Sequence, residues 1–253
     1  MTPIAIALIV FVCVFGGGLL GMFLRAVLPE HQLNDSTKDV VKLVTGSIAT
    51  LTALVLGLLV GSAKNSFETV NEETRGSAAK IVLLDRVLAQ YGPESKDVRD
   101  SLRRSLATRV EQMFSKDESR REALKSAGAT AAMEGLQQRL RALSPQNDKQ
   151  RSLQARALEL GDALAQTRWA LVEHVENTIP APFLVVLVFW LASMFASFGL
   201  FAPRNPVAIT VLFVGALSFS ASIFLIEDLN NPIEGFMTIS RAPLDTALGQ
   251  LGR

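Results

Sequence analysis

The stretch VVKLVTGSIATLTALVLGLLVGSAKNSFETVNEETRGSAAKIVLLDRVLAQY, Val40 to Tyr91, decides how the rest of the chain is read. Its first half is apolar and long enough to cross a bilayer. Its second half is charged and amphipathic, and no proline interrupts it before Pro93. The pattern predicts one helix throughout. At 1.5 Å per residue, about 50 residues make a rod of roughly 75 Å, of which lipid covers only about 30 Å. The remainder must pack on protein, so one element is expected to couple a membrane core to a soluble helical domain.

The second half shows what that packing needs. Ala63, Phe67, Val70, Thr74, Ser77, Ile81, Leu84, Leu88 and Tyr91 alternate steps of four and three, a seam that asks for partner helices. Asp85-Arg86 and Glu72-Glu73 read as solvated helix faces with i,i+4 partners. Gly92-Pro93 then ends the rod, glycine suiting the C-cap and proline the first turn of the next helix.

Upstream, Ile4 to Leu24 is an uncharged run followed by Arg25, long enough to span. Met1-Thr2-Pro3 lacks the basic start of a cleaved signal peptide, so a retained helix is expected. Gly17 and Gly21 have small-xxx-small spacing, which serves either close helix approach or a weak kink. Pro29 to Lys42 reads as a polar connector. The second span, Leu43 to Ala63, carries Gly46, Gly57 and Gly61, which again favour close packing.

Downstream, Val98, Leu102, Leu106, Val110 and Met113 share one helical face. Ser115-Lys116-Asp117-Glu118 fits a capping box opening another helix to about Leu143, broken by Ser144-Pro145. Leu153, Ala157, Leu160, Leu164, Leu171 and Val175 make a further stripe. Phe183 to Ala202 and Val207 to Ile226 are two more spans, joined by so short a connector that they form an antiparallel hairpin with Arg204 at its tip. Glu227-Asp228 ends the last span, where the pair either terminates a helix or binds a cation. The tail has turns at Asn231-Pro232, Gly235 and Ala242-Pro243, then a short helix. Nothing alternates like a strand, so the fold class is all-α: an integral membrane protein with four transmembrane helices and a helical bundle between the second and third. The expected segments are 1–63 (two spans), 64–179 (helical domain), 180–228 (hairpin) and 229–253 (tail).

Composition agrees and prunes functions. The chain of 253 residues is 49% hydrophobic, with a formal charge of +1, so no global field argues for nucleic acid. Cys13 stands alone, and His31 and His174 are far apart, so neither a disulfide framework nor a zincin-type metal site is legible. No nucleophile–base constellation or Walker A loop appears, and neither enzyme activity nor a cofactor is expected. Of the 25 basic residues, 19 lie between Lys64 and Arg168. The positive-inside rule then puts the helical domain and both termini in the cytoplasm, with Arg204 at the tip as a mild counter-signal. No span carries a charge near its centre. That argues against a coupled transporter and fits a channel with an apolar neck, or a structural membrane protein. Lys64 and Glu68, one turn apart where the second span leaves the membrane, are either a surface pair or a charged ring at a pore mouth.

Certain stretches look familiar together: Lys64-Asn65-Ser66-Phe67, Leu84-Asp85-Arg86 with Leu88, Tyr91-Gly92-Pro93, Arg168-Trp169, Phe198 to Asn205, and Pro232 with Gly235 and Ala242-Pro243-Leu244. Over nearly its whole length the chain resembles the bestrophin-like family of bacterial membrane proteins, remotely related to bestrophin channels. The resemblance implies a pentamer in the bacterial inner membrane, with lipid around it and one central pore lined by the second span. Carried over from Asn65, the neck positions fall near Leu54, Leu58 and Ser62; the channel reading adds Leu51 to that neck and puts Lys64, Asn65 and Glu68 at the inner mouth. Ser62 is small and polar where a bulky apolar residue is the rule. Five lysines at the mouth favour anions as permeating ions, and Glu68 opposes them. A non-conducting scaffold or signalling protein acting through its cytoplasmic helices is the alternative.

Overall fold

The structure, a computed structural model, describes residues 2–29, 35–115, 127–176, 181–233 and 235–252, without the side chains of 127–133, 169–176 and 181. Among the described residues all regular structure is helical. In chain order the helices are α1 (Pro3–Val27), α2 (Asp35–Tyr91), α3 (Lys96–Met113), α4 (Ala127–Ala142), α5 (Asp148–Glu176), α6 (Ala181–Phe201), α7 (Pro206–Leu229) and α8 (Ala242–Gln250). α1, α2, α6 and α7 are long and apolar enough to cross a membrane. The expected capping box at 115–118 lies almost wholly outside the described residues, as do His31 and the side chains of Leu171, His174 and Val175.

α2 begins earlier than the sequence suggests. Residues 35–42 are helical rather than a connector, because their charges pair along the helix: Lys38 Nζ reaches Asp35 at 3.1 Å and Lys42 Nζ reaches Asp39 at 3.7 Å, each three residues on. Polar composition alone does not make a loop.

The chain divides into two compact units. The first, Met1–Ser66 with Thr178–Met237, holds α1, the apolar part of α2, and the α6–α7 hairpin. α1 starts at Thr2, whose hydroxyl accepts from Ala5 N at 3.3 Å, with Pro3 in the first turn where its missing N–H costs nothing. Val10, Val14, Leu187, Leu191, Phe195, Leu212, Ala216 and Ile223 form its core. Phe213 stands edge-on to both Phe11 and Phe15, with centroids 5.4 and 5.6 Å apart.

Between the two readings of the α1 glycines, close approach is the one realised. A Cβ on Gly17 would sit 2.7 Å from Ala192 O, and one on Gly21 would overlap Ala196 O outright. Gly199 answers from α6 by lying against Gly18 O. Lipid supplies no hydrophobic drive between helices, so backbone-to-backbone dispersion of this kind is what binds α1 to α6. On the α7 side, Ser220 Oγ donates to Ala7 O at 2.5 Å, a hydrogen bond that crosses between helices in an apolar setting. Gly46, Gly57 and Gly61 do not repeat the pattern: a Cβ on any of them would meet nothing within 4 Å in this chain.

The second unit, Phe67–Asn177 with Thr238–Arg253, contains the polar end of α2, α3 to α5, and α8. The expected seam is its core. Val70, Thr74, Ile81, Leu84, Leu88 and Tyr91 are buried, as is the whole α3 stripe from Val98 to Met113. Gly92 takes φ +131°, a left-handed turn that L side chains resist. Ser95 Oγ lies 2.5 Å from Leu88 O and 2.8 Å from Gly92 O, so its one proton ties the end of α2 into the short turn Pro93–Ser95. α5 closes the bundle. Gln150 Nε2 donates to Tyr91 O at 3.0 Å, and Gln154 Nε2 donates to Leu140 O and Leu143 O, satisfying carbonyls that helix ends leave open.

Candidate functional site

The candidate site is one face of α2. Leu51, Leu54 and Leu58 follow one another at steps of three and four, which places them on one side of the helix, and they are 48%, 61% and 66% exposed. Ser62, Lys64, Asn65 and Glu68 continue along α2 and are exposed too. The opposite side behaves otherwise. Thr45 and Thr52 are buried, and Val55, Leu56 and Leu59 pack against the core of the first unit. α2 therefore has a committed back and a bare, leucine-rich front. All seven expected residues are exposed positions of this one helix, and Leu51, Leu54 and Leu58 are the large apolar ones among them.

Behind that front lies a cavity of about 470 Å³, lined by Thr52, Leu56, Val60, Met194 and Phe219 among others. Its one notable polar group is the Thr52 hydroxyl, buried with no hydrogen-bond partner. Other helix hydroxyls in the spans, at Ser47, Thr50, Ser197, Thr210, Ser218 and Ser222, bond back to the carbonyl four residues earlier.

At the hairpin tip two arginines hold helix ends. Arg25 Nη1 donates to Phe201 O at 3.3 Å and to Ala202 O, at the end of α6. Arg204 Nη2 donates to Met22 O near the end of α1 at 3.2 Å. Arg25 thus sits at the negative end of the α6 dipole and Arg204 at that of α1. Asn205 Oδ1 accepts from Ala208 N at 2.8 Å and caps the start of α7.

At the far end of α7 the Glu227-Asp228 pair is buried rather than displayed. Asp228 spends its two carboxylate oxygens on Phe236 N and Met237 N, at 2.8 and 2.9 Å, which folds the following chain back onto the helix. Gly235 is required there, since a Cβ would fall 2.6 Å from Asp228 Oδ1. Of the two readings of this pair, these contacts support helix termination with a tail clamp.

The second unit corrects two expectations. Asp85 is not a solvated helix face: it is 1% exposed and makes a bidentate pair with Arg99, Oδ1 to Nε at 2.7 Å and Oδ2 to Nη2 at 2.9 Å. Gly252 N adds a 3.3 Å contact to the same carboxylate, tying the C-terminal segment to α2. The hydrogen bond to Asp85 pushes the Arg99 pKa up against the opposing effect of burial. The signal was available, because Asp85 follows Leu84 and stands four residues after Ile81 and three before Leu88, inside the apolar seam. Glu73 likewise has a carboxylate oxygen, Oε2, buried without a hydrogen-bond partner. Arg109 and Arg168, from α3 and α5, both have lowered pKa values, by burial first and, for Arg109, also by the charge of Arg168.

A bestrophin-like domain matches residues 12–244. No curated protein matches the chain. A point mutant of a bacterial bestrophin homolog from Klebsiella pneumoniae is similar in structure, with a TM-score of 0.56 at 14% identity, covering 97% of this chain and 98% of that one. A solved variant described as a membrane protein has a TM-score of 0.55 at 14% identity, covering 94% and 97%. Identity that low speaks for the fold alone, but the domain match spans nearly the whole sequence, and on that ground the chain belongs to the bestrophin-like family.

Proposed function

We propose that this protein is a subunit of a homo-oligomeric ion channel, a pentamer by its family, in which α2 lines one central pore. The observation that carries the reading is the bare front of α2, where Leu51, Leu54 and Leu58 are exposed on a helix whose back is committed to its own core. In a five-fold arrangement these leucines form an apolar neck that opens by wetting, with Ser62 its wide end. Lys64, Asn65 and Glu68 line the mouth, where five lysines favour anions over cations and Glu68 moderates the preference. Residues 64–179 form the cytoplasmic part, the termini are cytoplasmic, and the host membrane is the bacterial inner membrane. Arg25 and Arg204 support this orientation: both are engaged at helix ends, so their presence on the opposite side has a structural reason and does not count against the positive-inside rule.

The test is flux from liposomes holding the purified oligomer. Chloride flux above that of empty vesicles is expected, exceeding cation flux, and Leu58→Ala should raise it by widening the neck. Absence of flux in both wild type and Leu58→Ala sinks the channel reading and leaves a non-conducting scaffold. A projection of the solubilised particle without five-fold symmetry removes the central pore.

A further inference from the structure

A second cavity, of about 360 Å³, lies at the hairpin tip, lined by Leu19, Met22, Phe23, Arg204, Pro206 and Ile209 together with Asn205. We propose that it is a binding site for one anionic phospholipid, whose phosphate rests on Arg204 and whose acyl chain descends along Leu19, Phe23 and Ile209.

Three observations converge on that occupant. The first is charge. Arg204 is exposed and contributes Nη2 to Met22 O, while a guanidinium has five N–H donors in a rigid fork, so most of its capacity faces outward. Neither the cavity wall nor the connector Pro203-Arg204-Asn205-Pro206 carries a carboxylate to compete with a phosphate. The second is depth. Arg204 sits in the connector between two spans, beside the last turns of α1 and ahead of the first turn of α7, which is where the headgroup layer meets the hydrocarbon. Phe23 and Leu19 lie one and two turns deeper along α1, and Ile209 one turn into α7. The third is shape. The cavity is walled by apolar side chains directly below the one cation, and Leu19, Phe23 and Ile209 remain 41%, 63% and 41% exposed, so lipid can enter sideways. A water-soluble anion would use the arginine and leave the apolar wall unpaired. A neutral lipid would use the wall and leave the charge unmatched. The site does not depend on whether the protein conducts.

The experiment uses the full chain purified in detergent. Native mass spectrometry counts bound phosphatidylglycerol and phosphatidylcholine of equal chain length, and a photoreactive phosphatidylglycerol maps contacts. Wild type should retain phosphatidylglycerol about fivefold over phosphatidylcholine, as expected for one arginine at a membrane surface. Arg204→Gln keeps a donor for Met22 O but removes the charge, and should abolish that preference, while Arg204→Lys should keep part of it. Ile209→Trp fills the cavity and should cut retention of both lipids, with an unchanged thermal melt in lipid-free detergent showing that the fold survives. Cross-links should fall on Phe23 and Ile209. Equal retention of the two lipids by wild type overturns the proposal, as does an undiminished preference in Arg204→Gln. So does displacement of phosphatidylglycerol by millimolar inorganic phosphate, which would mark a free-anion site.

Discussion

The first and second spans look alike in sequence, both apolar and rich in glycine, yet they end in opposite conditions. About 28% of the apolar window of α1 is buried, against 11% for α2. The glycines of α1 let its backbone touch α6, so Gly17 and Gly21 face a carbonyl where any side chain would collide. The glycines of α2 face open space, and the leucines between them are among the exposed large hydrophobic residues. One span has satisfied its packing inside the chain, and the other has kept a face for something outside it. In a membrane that something is lipid, another copy, or a water path.

The largest expected effect breaks the satisfied side. Gly21→Leu drives a side chain into the α6 backbone and should cost about 3 kcal/mol or more, seen as loss of the monodisperse folded peak on size exclusion. An intact peak with an unchanged melt would mean the α1–α6 contact is looser than described. Nearly as large is Asp85→Ala, at the packed end of α2, which takes the bidentate carboxylate away from an Arg99 that is four-fifths buried. Removing one member of such a pair costs about 3–5 kcal/mol, measurable as a lower denaturant midpoint. A shift under about 1 kcal/mol would place the pair among ordinary surface bridges.

A smaller effect separates water from lipid on the bare side. With Cys13 replaced by serine, Leu58→Cys should react with a charged thiol reagent at least about tenfold faster than Leu8→Cys, since the thiolate forms only where water reaches. Leu8 is equally exposed, at 63% against 66%, so equal rates would put both in lipid and remove the pore. The smallest effect is the control. Gly46→Ala meets no atom within 4 Å, and its melting behaviour should move by less than about 0.5 kcal/mol. A large loss would reveal a partner against α2 that one chain does not contain.

The sequence by itself determined the spans, the α6–α7 hairpin, the end of α2 at Tyr91 and the buried stripes of α2 and α3. Each is written in local quantities: run length against bilayer thickness, a period near 3.6, and the conformational limits of glycine and proline. The candidate positions between Leu51 and Glu68 came from the resemblance anchored at Asn65, while their place on one helix follows from the unbroken run up to Tyr91. Only the tertiary structure decided which glycines touch a neighbour, that Asp85 is buried on Arg99, that Asp228 clamps the tail beside Gly235, and that Arg25 and Arg204 hold the ends of each other's helices. The seam spacing marks Asp85 as facing the core, but its partner is decided only when the Arg99 guanidinium of α3 is brought to it, and Gly21 and Gly46 are indistinguishable until α6 lies against one of them. The partner of a charge and the approach of a backbone are distant in the chain. No window of local sequence contains both halves of such a contact, and the fold is what brings them together.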